Sequence, residues 1–87
     1  MNDLIEITEE QRQILRICLG INYRVPPFRN HHHADKEDSF WNLLVRKELA
    51  TSSPAWEPEC AYFHLSFECA NWVYGKQMTR KFYEGLE

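Results

Sequence analysis

Three consecutive histidines, His31, His32 and His33, stand just ahead of the acids Asp35, Glu37 and Asp38. Imidazoles and carboxylates at this density suggest a zinc or nickel site. Adjacent residues of an extended chain, however, point to alternate faces, so three neighbours rarely close on one ion. The triplet therefore reads as a solvated loop at an interface rather than a metal centre. A second set, Cys60, His64 and Cys69, has the spacing C-x3-H-x4-C. A structural zinc site uses four ligands, usually with a close cysteine pair on a knuckle, and this set has no such pair. Cys18 and Cys69 fall on helix faces and read as small buried apolar residues. A Cys–His nucleophile would need an orienting third group and oxyanion donors, and no neighbouring motif supplies them. The expectation is a protein without metal or cofactor, whose thermal transition a chelator leaves unmoved.

Other catalytic signatures are missing as well. The glycines are Gly20, Gly75 and Gly85, too scattered for a phosphate-cradling loop. The carboxylates occur as Glu9-Glu10, Asp35-Glu37-Asp38 and Glu57-Glu59, in capping or loop contexts rather than on an apolar face that would raise their pKa. The reading is non-enzymatic. More suggestive is the loop carrying Tyr23, Arg24, Phe28, Arg29 and Asn30, where aromatics alternate with arginines. Such a set can stack on bases and pair with phosphates, or anchor a protein interface. It can also do neither, with Tyr23 and Phe28 covering the core and the arginines paired to nearby acids. Trp56, bounded by proline and glutamates, is a further candidate for an exposed anchor.

The whole chain constrains these options. Its 87 residues and 10.5 kDa make a single small domain, residues 1–87, with 44% hydrophobic and 26% charged residues, as in an ordinary globule. Thirteen acids against ten bases give a formal charge of −3 and a pI near 5.8, which disfavours generic binding to phosphate backbones. Three cysteines without short regular spacing read as reduced thiols in an intracellular setting. The segment Met1–Glu6 has neither a basic nor an apolar stretch, and no apolar run reaches the ~20 residues of a membrane span. A cytoplasmic protein without membrane contact is expected.

Local signals place the elements that must hold these side chains. Thr8-Glu9-Glu10-Gln11 fits a capping box, and Ile14, Leu15, Ile17, Cys18 and Leu19 share one apolar arc that Gly20 would close, so a helix is expected over 8–19. The prolines at 26 and 27 exclude helix there, and residues 21–24 and 28–33 could each be short extended pieces, followed by a charged connector over 34–38. Asp38 or Ser39 caps a second helix over 39–49, with Phe40, Trp41, Leu44, Val45 and Leu49 on its buried face. Thr51-Ser52-Ser53-Pro54 reads as a breaker, and residues 60–65 as a strand with Ala61, Phe63 and Leu65 on one face. Ser66 can cap a last helix to about 84, striped by Tyr74, Met78 and Phe82 and weakened at Gly75, where a kink or frayed end fits.

The runs Glu10-Gln11, Leu15-Arg16, Leu19-Gly20, Tyr23-Arg24 and Pro27-Phe28-Arg29-Asn30-His31, followed by Leu43-Leu44-Val45 and Phe63-His64-Leu65-Ser66, resemble a loose family of small, mostly uncharacterised phage and prophage proteins. Members tend to carry Gly-Leu after the second helix, where this chain has Glu48-Leu49. They also tend to carry a glycine early in the last helix, where it has Cys69-Ala70-Asn71. The resemblance implies a reduced winged-helix pattern: an α+β fold of three helices with a small β-sheet. It also implies a phage genome, in which small acidic proteins block host proteins. The expected function is binding and inhibition of a host protein, such as a CRISPR complex or another defence or nucleic-acid enzyme. Tyr23, Arg24, Phe28, Arg29, His31, Asp35, Glu37, Asp38 and Trp56 are the candidate contact residues, and the acids would face a basic surface. The alternative is a winged-helix-like DNA-binding regulator whose Arg24, Arg29, Arg46 and Lys47 contact phosphates.

Overall fold

The first helix forms where its caps dictate. In the computed structural model, which describes residues 5–21 and 27–86, Thr8 accepts from the Gln11 amide while the Gln11 side chain accepts from Thr8. Helix α1 (Glu9–Leu19) ends at Gly20, whose φ of 72° is the left-handed conformation that favours glycine. Phe28 lies over Gly20, where any Cβ would overlap its ring. The chain returns as strand β1 (His32–Asp35) and turns into α2 (Ser39–Arg46), which Asp38 caps by accepting from the Trp41 amide. Strands β2 (Ala50–Pro54) and β3 (Cys60–Leu65) form a hairpin, followed by α3 (Phe67–Tyr74) and α4 (Arg80–Glu84). The described residues thus form a small α+β fold of four helices and one antiparallel sheet of order β1-β3-β2.

Leu15, Cys18 and Leu19 of α1, Trp41 and Leu44 of α2, and Cys69, Ala70 and Val73 of α3 share one core with Ala61, Phe63 and Leu65 of β3. The alternation of β3 leaves Cys60, Tyr62 and His64 on the opposite face. Cys69 and Ala70 are fully buried. No helix among the described residues is long and apolar enough to cross a membrane.

Five expectations need correction. The second helix stops at Arg46 rather than 49, because the backbone turns left-handed at Glu48, and His32 and His33 pair with β3 in β1 rather than lying in a solvated loop. The Thr51-Ser52-Ser53-Pro54 breaker belongs to β2, because β3 offers a second edge of unsatisfied donors and acceptors that these residues pair with in register. Their weak strand propensity is overridden by tertiary pairing, and Pro54 stands at the end of an edge strand, where no ladder donor is missed. The charged connector begins later than expected, since Ala34 and Asp35 pair with Ala61 and Cys60 in β1. The single last helix is two. Gly75, at φ 81°, ends α3; the Asn71 side chain then accepts from the Met78 amide, and Thr79 caps α4. Tyr74, Met78 and Phe82 therefore do not form one stripe. A helix-turn-helix pair would need a further helix across a short turn after α2, and the chain enters β2 instead.

Glu48 has φ 61° and is the non-glycine residue in the left-handed region among those described. That conformation costs an L-residue roughly 1–2 kcal/mol, against 0.5–1 kcal/mol of extra chain entropy for glycine. Glu48→Gly is expected to stabilise the protein by about 0.5–1 kcal/mol, read as a higher urea midpoint at unchanged slope.

Candidate functional site

The solvent face of the sheet is built by strand alternation. His32 turns inward and stacks on Trp41, with ring centroids 5.3 Å apart, while His33 turns outward. Burial holds the His32 pKa below its ordinary value, so the ring is neutral at physiological pH. On the open face Tyr62 of β3 lies between His31, 6.1 Å away edge-on, and His33, 5.3 Å away. The histidine triplet is thus divided by the pleat rather than gathered on one ion.

One end of this face is an acidic lobe. The β1–α2 turn, carrying Asp35, Lys36, Glu37 and Asp38, is tied to the β2–β3 loop by the Lys36 amide donating to the Glu59 carbonyl at 3.0 Å. Asp35, at the end of β1, and Glu37, Glu57 and Glu59, on the two connections, are exposed. Asp35 accepts from the Glu37 amide at 2.8 Å, and Asp38 is committed to capping α2. Trp56 projects from the same loop with 94% of its surface exposed. Glu57 pairs with His33 at 3.0 Å, and that hydrogen bond holds its carboxyl below the usual range. The fold therefore ties the turn carrying Glu37 and Asp38 to the loop carrying Trp56, which are separated in sequence.

Phe28 and Arg29 lie toward the opposite end of the sheet, next to Asn30, whose side chain meets Leu65 at the far end of β3. Phe28 is 57% exposed and with Phe82 and Leu86 lines an open groove of about 550 Å³. Arg29 directs its guanidinium at the Ile17 carbonyl, 2.8 Å from Nη2 and 3.2 Å from Nε, and so serves the last turn of α1. Asn30 is 7% exposed: its side chain pairs with both the amide and the carbonyl of Leu65, at 2.8 and 2.9 Å. Tyr23 and Arg24 lie outside the described residues.

The C-x3-H-x4-C set is not assembled. Positions four apart on one strand are about 13 Å from each other. Burial pushes the thiols of Cys18 and Cys69 up to about 12, which makes both inert. His64 instead bonds the Asn30 carbonyl through Nδ1 at 2.7 Å and meets the Ser53 hydroxyl through Nε2 at 3.3 Å. With Nδ1–H donating to the carbonyl, Nε2 is the acceptor and Ser53 the donor. This has the order of a base and a nucleophile, yet it sits on a flat face beside a central strand whose amides serve the ladder. The pair is therefore read as a cross-strand tie. Sequence reasoning also did not bring together His33, Glu57 and Cys60, whose ligating atoms lie within 4.8 Å of one another. Alternation in β1 and β3 was the available signal, but it needed the register.

No family model, curated protein or solved structure matches the chain.

Proposed function

We propose that the protein is a non-enzymatic binding module whose acidic lobe captures a basic surface of a partner protein. The observation that carries this reading is Trp56, almost wholly exposed in the β2–β3 loop that also bears Glu57 and Glu59 and that is tied to the turn bearing Glu37. Leaving a tryptophan in water forgoes the burial of roughly 150–250 Å² of surface, and tryptophan is enriched among residues that dominate binding energy. Carboxylates around an indole suit lysine and arginine: the acids pair with the cation and the ring face attracts it. In the phage setting the resemblance implies, such a surface would be one that a host defence or nucleic-acid enzyme uses for phosphate backbones, and covering it would inhibit that enzyme. The DNA-binding alternative receives less support, since Arg29 is engaged with Ile17 and the net charge is negative.

A lysine- and arginine-rich peptide is a suitable probe. Binding is expected to weaken with added salt and to fall about 30-fold in Trp56→Ala, the equivalent of a 2 kcal/mol anchor. Glu37→Lys with Glu59→Lys moves the formal charge from −3 to +1, two acids lost and two bases gained, and should abolish binding without unfolding the chain. Asp38 is left intact because it caps α2. Peptide binding that survives both changes would remove the lobe from consideration. A sequence-dependent shift of duplex DNA by the wild-type protein at physiological salt would favour the regulator instead.

A further inference from the structure

At the acidic lobe Glu57 also meets two other metal-ligating groups, His33 and Cys60. We infer that His33, Glu57 and Cys60 form a zinc-type divalent-cation site with its fourth position open to water. This inference does not depend on the proposed function.

The register makes the site. His33 pairs with Tyr62 and Asp35 with Cys60, so His33 and Cys60 are diagonal neighbours on adjacent strands and share the solvent face. Glu57 comes from the loop that leads into β3, and the Cys60 amide donates to the Glu57 carbonyl at 3.1 Å, folding that loop back over the strand end. His33 Nε2 and Glu57 Oε2 are already 3.0 Å apart, and the three ligating atoms lie within 4.8 Å of one another. Zinc bonds of about 2.0–2.3 Å place tetrahedral ligands about 3.3–3.7 Å apart, so closure needs side-chain movements of about 1 Å. His33 and Glu57 are exposed and free to make them by rotation.

The donor set selects the ion. One thiolate sulfur, one imidazole nitrogen and one carboxylate oxygen suit Zn²⁺ or Co²⁺, whereas Mg²⁺ and Ca²⁺ take oxygen ligands. The surroundings favour a cation too. Asp35, Glu57 and Glu59 are exposed at this end of the sheet, and their negative field attracts a dication. Metal binding by Cys60 releases the thiol proton to solvent. His33, Glu57 and Cys60 lie outside the core, so removing the metal should leave the fold in place.

The test is a Co²⁺ titration of the reduced full chain, followed by competition with Zn²⁺. A near-ultraviolet sulfur-to-cobalt charge-transfer band is expected, displaced by zinc and not by a large excess of Mg²⁺. Cys60→Ser should remove the band, and His33→Asn and Glu57→Gln should each weaken Co²⁺ binding tenfold or more, while His31→Asn leaves it unchanged. Circular dichroism of each variant checks that it is folded. Absence of the band, or zinc affinity unaltered in both Cys60→Ser and His33→Asn, would overturn the site.

Discussion

Trp41→Ala is expected to destabilise the protein by about 3–5 kcal/mol, the range for deleting a large aromatic from a packed core. Trp41 is 1% exposed and stacks between two rings: His32 of β1 at 5.3 Å and Phe63 of β3 at 5.2 Å, both within about 21° of parallel. Truncation empties the layer that joins α2 to two strands, and each aromatic pair is worth about 0.5–1.5 kcal/mol beyond its area. A domain of this length has roughly 4–13 kcal/mol in total, so the variant is marginal or unfolded at room temperature. Leu15→Ala and Leu44→Ala, also fully buried, should each cost about 2–5 kcal/mol. Urea denaturation checks all three, and a Trp41→Ala midpoint equal to wild type would show that α2 does not pack as described. His32 adds a second readout. Its depressed folded pKa means that the folded state holds this proton less tightly than the unfolded chain. The ring's contribution is therefore complete above the ordinary value of 6.5 and is lost as pH falls through the lowered one.

Asn30→Ala should cost about 2–4 kcal/mol, a large effect for one polar side chain. Beyond the end of β1, the Asn30 amide does for Leu65 what a strand partner would do, accepting from its N–H at 2.8 Å and donating to its carbonyl at 2.9 Å. Alanine leaves that buried N–H without its acceptor, and an orphaned buried group costs about 1–3 kcal/mol in addition to the lost bonds. The Leu65 carbonyl is less affected, since Tyr83 also donates to it. Asn30→Asp should be worse at neutral pH, because it places a carboxylate oxygen opposite that carbonyl and a charge in the core. The measurement is denaturation together with hydrogen exchange at the Leu65 amide. Protection at Leu65 unchanged in Asn30→Ala would rule out the bracing role.

What the sequence by itself determined is what local chemistry controls. The ends of α1, a cap at Asp38 or Ser39 and one at Ser66, and the inward set Ala61, Phe63 and Leu65 follow from hydroxyl and carboxylate caps, glycine and apolar period, all within a few residues of one another. The division of the histidine triplet between two faces was legible for the same reason, since pleating acts between neighbours. Gly75 was visible as a weak point, but whether it kinks or ends a helix depended on Asn71 reaching the Met78 amide. Only the tertiary structure decided the rest. Ala50–Pro54 has no apolar alternation and becomes a strand because β3 presents an edge to it. Asn30 reads as a loop residue until Leu65, 35 positions away, supplies the backbone it braces. The tie between the β1–α2 turn and the loop carrying Trp56, and the grouping of His33 with Glu57 and Cys60, rest on antiparallel register. Register is set by which strands pair and how the core aligns them, a long-range condition that residue spacing along the chain does not encode.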